Sequence, residues 1–389
     1  MKLPKSAGGF PSILYTLKKG LESGSFIKMW NRLRSSNACK TCALGMGGQR
    51  GGMVNEEGSF PEVCKKSVQA VVSDMGKTIP DEFWSTNTNS QIRSMDSRSL
   101  EKLGRIGSPI YSGPLDSHYT PKDYDFVLER IAKKLKKTDP SKTFFYFSGR
   151  SSNEAAFLLQ LFARCYGTNN VNNCSYYCHQ ASGVGLKNVI GSGTATLSLE
   201  DVNECDVIFI IGGNPASNHP RFMTTLMKLK RKGCKVVVVN PIKEVGLVNF
   251  KVPSDIRSLL FGTKIADYYL QPKIGGDIAL LVGIAKVIIS NDWHDIDFLN
   301  NHCVGFDNWS RQVLETSWKT IIEKSGVSKS NIENIADVYS KSKRTVFSWT
   351  MGITHHVHGV ENVEAIASLA LLRGMVGKRG AGLLPLRGH

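Results

Sequence analysis

Apolar residues along this chain fall into two alternating patterns. "DYDFVLERIAKKLKK" (123–137) places them at helical spacing; "TFFYFSG" (143–149) runs almost unbroken; "SSNEAAFLLQLFARCYG" (151–167) then returns to helical spacing behind a Ser/Asn start. The alternation continues through strand 206–213, helix 219–233, strand 235–241 and helix 275–290, then segment 331–342, strand 345–354 and helix 360–377. Strands apolar on both faces, separated by amphipathic helices, predict an α/β fold with a parallel sheet covered on both sides. Residues 1–90 are rich in Gly, Ser, Lys and Asn with weak periodicity. They predict a small irregular domain held by something other than a core, which favours a metal site there. In "NNCSYYCHQASGVGLKNVIGSG" (172–193), Cys178 and His179 lie just ahead of a turn rich in Gly and Ser, and "GAGLLPLRGH" (380–389) reads as neither a helix end nor a natural domain tail.

Composition narrows the function classes. The chain has 389 residues, 49 Lys+Arg against 33 Asp+Glu and a formal net charge of +16, which suits an anionic partner such as a phosphate-bearing cofactor. The basic residues are scattered, without an arm of interleaved aromatics, so nucleic acid is not the favoured partner. Nine cysteines at irregular spacing, with no export signal in "MKLPKSAGGFPSILYTLKKG", predict a reducing, cytoplasmic location, and no apolar run is long enough for a membrane span.

Candidate chemistry sits at strand ends. "GGNPASNHP" (212–220) and "NPIKE" (240–244) each follow a predicted strand, where loop amides and helix N-termini face a ligand in an open parallel sheet. Tight-turn roles explain the same Gly and Asn residues. Neither G-x-G-x-x-G nor a Walker A loop occurs, which gives NAD and ATP no support. Cys39 and Cys42 form C-x2-C and Cys64 follows; this set suits one face of an iron–sulfur cluster or a zinc ion, and equally a redox dithiol or free thiols. Cys178 directly precedes His179, a soft metal ligand beside a proton acceptor, although a buried thiol and a structural histidine fit the dipeptide as well.

Taken in order, "CKTC", "SGRSSNEAAFLLQLFARCYGTNNVNNCSYYCHQASGVGL", "DVIFIIGGNPASNHP", "VVNPIKE", "GGDIALL" and "MGITHHVHGVENVEAIASLALLRGMVGKRGAGLLPLRGH" resemble the molybdopterin oxidoreductase alpha-subunit family, in its formate-dehydrogenase-like FdhF/YdeP-type branch, over residues 39 to 389. The resemblance implies an iron–sulfur-type domain (1–90), the first half of an α/β molybdopterin domain (91–171) and a Rossmann-like domain (172–389) binding molybdopterin guanine dinucleotide. It implies a molybdenum or tungsten bis(molybdopterin guanine dinucleotide) cofactor and a 4Fe-4S cluster. It further implies Cys178 as the metal ligand, His179 as the proton carrier and Arg387 as the group that orients a small anionic substrate, a role that suits a guanidinium. Ser148, Gly149 and Arg150 match a loop that contacts the pterin. Asn214, Ser217, Asn218, Asn240, Gly276 and Asp277 fall on loops that hold the dinucleotide, and Lys66 matches a lysine between cluster and pterin.

The departures are specific. Met46 stands where iron–sulfur members carry a third cysteine, Asn240 where the commoner loop has Asp, and His389 where formate dehydrogenases often have Gln. The family runs to about twice this length, so a half-domain here is expected to expose apolar surface; either the frame is a fragment of a longer protein or a second polypeptide completes the fold. Three functions follow as alternatives: formate-dehydrogenase-like redox chemistry with an undetermined electron partner, reduction of another small substrate on the same scaffold, and a non-catalytic homologue that keeps the fold.

Overall fold

A computed structural model describes residues 5–36, 52–54, 58, 60–61, 64–149 and 151–387. Helices α1 (Phe10–Glu22), α2 (Phe26–Arg34) and α3 (Lys65–Asp74) open the chain. Met29, Leu33, Met53, Cys64, Val68, Val71 and Val72 bury against one another between them. The described part of residues 1–90 therefore has a small apolar core, contrary to the expectation of an irregular, coreless segment. Its apolar residues lie on several short helices, and in each the periodic signal is brief.

Helix α4 (Tyr124–Lys136), strand β1 (Phe145–Phe147), helix α5 (Asn153–Tyr166) and strand β2 (Val171–Asn173) form a strand–helix–strand unit. β1 and β2 pair in parallel, with Phe147 opposite Asn173, and among the described residues join no other strand. No residue of α4 is buried, and Phe157, Leu158, Leu161 and Phe162 of α5 are all exposed. The sequence pattern is that of a strand covered on both faces, but among the described residues only one face is covered: Phe145 packs against Phe162 and Tyr166 of α5, while Tyr146 is exposed.

The next element is helix α6 (Cys174–Ile190), where a Gly/Ser turn is expected from sequence. Its glycines act as packing residues. A Cβ on Gly185 would lie 2.8 Å from the Val360 carbonyl oxygen and 2.9 Å from Val363 Cβ, so the absent side chain lets α6 press against a later helix. The helix bends at His179, whose φ of −136° and ψ of 21° leave the helical region.

Most of the remaining elements build the main sheet. Strands β3 (Val207–Ile211), β4 (Lys235–Val239), β5 (Tyr268–Leu270), β6 (Thr345–Trp349) and β7 (Gly382–Pro385) lie in the order β5–β4–β3–β6–β7, all parallel. Helices α7 (Pro220–Arg231), α8 (Asp277–Ser290), α9 (Lys329–Ser340) and α10 (Gly359–Leu371) cover its faces. Every residue of β3 and β6 is buried, which accounts for their unbroken apolar runs. On one face Phe209 stacks on Phe347 at 4.8 Å, and the Tyr339 ring sits edge-on to both. The segment expected to be no natural tail supplies edge strand β7, with Val346 opposite Gly382. Among the described residues, no helix is long and apolar enough to cross a membrane.

Replacing Phe209 with Ala removes the centre of this aromatic group. Equilibrium urea unfolding should show a loss of roughly 3–5 kcal/mol, the usual cost of truncating a fully buried Phe.

Candidate cofactor site

The strand order reverses between β3 and β6. Chain connections leave these neighbouring strands in opposite directions and open a crevice beyond their carboxyl ends. A cleft of about 410 Å³ occupies that position. Its walls come from the turn after β3 (Gly212, Gly213, Asn214, Asn218), the turn after β4 (Asn240, Pro241, Glu244), the approach to α8 (Lys273, Gly275, Asp277) and the turn after β6 (Thr350, Met351, Gly352, His356).

Glycine is required where the two central turns meet. Gly352 N–H donates to the Gly212 carbonyl at 3.0 Å, and a Cβ on Gly352 would lie 2.5 Å from that oxygen. Gly212 itself has φ +61°, a region that glycine enters at no steric cost. Thr350 Oγ1 also donates to the Gly212 carbonyl, which locks the turn after β3 to the turn after β6.

Asn240 uses both ends of its amide. Nδ2 donates to the Gly213 carbonyl at 3.2 Å and Oδ1 accepts from Ile242 N–H at 3.0 Å, so the side chain staples two cleft turns together. A carboxylate could do only half of this. Asn214 caps the short helix Pro215–Asn218, its Oδ1 accepting from Ser217 N–H. Ser217 thus contributes its backbone to the cap and does not line the cleft. Gly276 is buried as the N-cap of α8, where a Cβ would lie 2.5 Å from the Lys324 carbonyl oxygen, and it too supports the wall from behind. Asp277 begins α8 facing the cleft; burial pushes its carboxyl above the usual range, and His356 opposes that shift. His358 N–H donates to His356 Nδ1 at 3.1 Å, so a neutral His356 carries its proton on Nε2. Lys273, Glu244 and His356 were not foreseen from sequence. Glu244 and His356 lie within quoted motifs but were not singled out there, Lys273 lies outside any motif, and the crossover geometry brings all three to the cleft.

A second cluster forms around the first turn of α6. Thr354 Oγ1, from the short helix Met351–Thr354 that follows β6, donates to the Cys178 carbonyl at 2.7 Å. The same short helix therefore walls the cleft through Met351 and Gly352 and holds the backbone of Cys178. Burial pushes the half-buried Cys178 thiol up, neighbouring Cys174 adds to this, and the Arg387 guanidinium acts in the opposite direction. Arg387 follows β7, with Nη2 donating to the Gly193 carbonyl at 3.3 Å. The fold thus brings the charge of Arg387 to Cys178 from far along the chain.

His179 is 2% exposed, and its Nδ1 lies 2.9 Å from Ser182 Oγ, which also accepts from Trp349 Nε1 at 2.9 Å. The indole N–H can only donate, so Ser182 Oγ accepts from Trp349 and its own hydroxyl proton is free to point at Nδ1.

The remaining sequence candidates are more dispersed. Gly149 N–H donates to Cys174 Sγ at 2.9 Å, and Ser148 precedes it in the turn after β1, whereas Arg150 lies outside the described residues. Cys64 is buried as the N-cap of α3, and Lys66 occupies the first turn of that helix. Cys39, Cys42, Met46 and His389 lie outside the described residues. Among the described residues, no group of three or more His, Cys, Asp or Glu side chains is placed to hold a metal ion.

Two expectations follow. Asn240→Asp should lose about 1–3 kcal/mol at neutral pH, the cost of leaving the Gly213 carbonyl facing an acceptor, and part of the loss should return on acidification as the new carboxyl regains a proton. Asp277→Asn should be more stable than the parent at neutral pH. The folded carboxyl titrates above its ordinary value of 3.8, so its burial penalty is absent at low pH and grows as pH rises through the raised value. Thermal melts of both proteins across pH should therefore converge in acid and separate towards neutrality.

Comparison with known proteins agrees with this architecture. Residues 120–387 match the molybdopterin oxidoreductase family. An uncharacterized oxidoreductase of Mycobacterium tuberculosis is 35% identical over 99% of this chain and 50% of its own length. Protein YdeP of Escherichia coli K12 is 39% identical over 84% of this chain and 45% of its own length. The F420-dependent formate dehydrogenase subunit alpha of Methanocaldococcus jannaschii is 32% identical over 75% and 40%. Acetylene hydratase from Pelobacter acetylenicus shares the fold with a TM-score of 0.63 at 20% identity, covering 88% of this chain and 44% of that one. The chain spans about half the length of the curated relatives it matches. On the extent of the family match and the identity to these relatives, the chain belongs to the molybdopterin oxidoreductase family.

Proposed function

We propose that this chain contributes the cofactor-binding half of a formate-dehydrogenase-like oxidoreductase that carries out two-electron redox on a small anionic substrate. The cofactor in this reading is molybdenum or tungsten bis(molybdopterin guanine dinucleotide), which when bound supplies a metal that changes oxidation state by two electrons. The observation that carries the reading is that the fold brings the Arg387 guanidinium within electrostatic reach of the Cys178 thiol, while Thr354 ties the Cys178 backbone to the short helix that walls a switch-point cleft.

The residues fit such a group. A cleft of about 410 Å³, edged by Gly212, Gly213 and Gly275, lets backbone amides approach a pyrophosphate, while Asn214, Asn218, Asn240 and Asp277 offer acceptors and donors to a nucleotide. The thiol of Cys178, kept protonated by burial, is a poor free nucleophile. A metal cation stabilises the thiolate, so ligation is the role that suits this environment. Arg387 orients an anionic substrate, and His179, held through Ser182 and Trp349, carries the proton. Ser148, Gly149 and Arg150 contact the pterin. Cys39, Cys42 and Cys64 are the proposed thiolate ligands of an iron–sulfur cluster, with Lys66 beside it.

The exposed apolar face of α4 and α5 supports a second polypeptide segment, equivalent to the half of the relatives that this chain does not span. Subunit naming among the formate dehydrogenase relatives also supports a multi-component enzyme.

The test is metal and nucleotide analysis of the protein produced with such a complementing segment. Molybdenum or tungsten together with released guanine nucleotide is expected, and the absence of both would sink the reading. Cys178→Ala should lower formate-dependent dye reduction by at least about a thousandfold, the scale on which essential catalytic groups act, with far-UV circular dichroism unchanged.

A further inference from the structure

Cys178 lies on a part of α6 whose direction the rest of the helix does not dictate. His179 departs from helical geometry, so residues 174–178 form a turn set off from the segment that packs against α10. Such a turn needs anchors of its own. The first is the cap, Asn173 Oδ1 accepting from Ser175 N–H at 3.0 Å, and the second is Thr354 Oγ1 on the Cys178 carbonyl.

The third anchor is Cys174. It stands four residues before Cys178, on the same face of the turn, and its Sγ accepts from Gly149 N–H at 2.9 Å. Gly149 belongs to the turn that leaves β1, and Cys174 begins the helix that leaves β2. Because Phe147 pairs with Asn173, both turns depart from the same edge of the β1–β2 pair. The Tyr146 ring, 6.1 Å from that of Tyr177, makes a further link across this edge. Cys178 is thereby held between a clamp from the main sheet, through Thr354, and a clamp from the β1–β2 unit, through Cys174.

We propose that Cys174 is a positioning residue: its thiol pins the Ser148–Gly149 turn to the first turn of α6 and so sets the placement of Cys178 relative to that turn. What the placement serves rests on the function proposed above, but the coupling itself exists without any cofactor. It can therefore fail independently of that function.

The experiment compares Cys174→Ser, which retains an oxygen acceptor, with Cys174→Val, which keeps similar bulk and cannot accept. Both lack the neighbouring thiol, so they differ in the hydrogen bond and not in the electrostatic effect of one thiol on the other. The probe is iodoacetamide on the folded full-length chain, with carbamidomethylation of Cys178 followed by tandem mass spectrometry. Cys178 should react about fivefold faster in the Val variant than in the Ser variant, the opening factor that one neutral hydrogen bond controls. In the cofactor-loaded enzyme, Val should lower kcat with KM unchanged, and Ser should restore it. Equal alkylation rates in the Val and Ser variants overturn the proposal, as does a Ser variant that fails to restore kcat. If Val unfolds the chain by circular dichroism, Cys174→Ala takes its place in the same comparison with Ser. Absent metal with the Val–Ser difference intact would overturn the proposed function and leave the positioning role standing.

Discussion

The contact between Gly212 and Gly352 is the constraint on which the site depends. Two strands that are neighbours in space and remote in sequence end side by side, and their turns touch backbone to backbone through the Gly352 N–H and the Gly212 carbonyl. A Cβ at either position would separate them. The contact orients the Met351–Thr354 turn, one side of which walls the cleft while the other side, through Thr354, holds Cys178. The cleft turns and the candidate metal ligand are thus parts of one arrangement at the reversal of the sheet, where backbone meets backbone.

Groups that would be stabler elsewhere gather around that arrangement. Asp277 is kept above the ordinary carboxyl range by burial, and the Cys178 thiol is pushed up in the same way. His179 is nearly inaccessible, held through a hydroxyl shared with an indole. Burial raises the free energy of each charged form, and the core beneath, with Phe209, Tyr339 and Phe347 in mutual contact, can sustain that cost. Destabilised acids and thiols beside a cleft are the mark of a site made for a ligand.

The chain is unevenly finished. The main sheet is covered on both faces, yet the β1–β2 unit leaves Phe157, Leu158, Leu161 and Phe162 exposed on α5 and Leu128 and Ile131 exposed on α4. These exposed apolar residues lie on the same unit that Cys174 ties to the turn bearing Cys178. Whatever covers them acts on a unit already coupled to the candidate metal ligand.

The sequence by itself determined the parallel α/β class and most elements of the main sheet, because strands such as Val207–Ile211 and Thr345–Trp349 are buried on both faces and must read as unbroken apolar runs. It also carried the motifs on which Asn214, Asn240, Asp277 and Cys178 could be found. It misread α6, since Gly185 signals a turn locally and only the partner helix reveals it as a packing residue. It took the short N-terminal helices for irregular chain, and it had no signal for edge strand β7. The meeting of Lys273, Glu244 and His356 in one cleft and the roles of Thr354 and Cys174 were decided by the tertiary structure. Periodicity records what one element buries. Which loops meet at the end of a sheet depends on strand order, and strand order is set by contacts between elements that no local window contains.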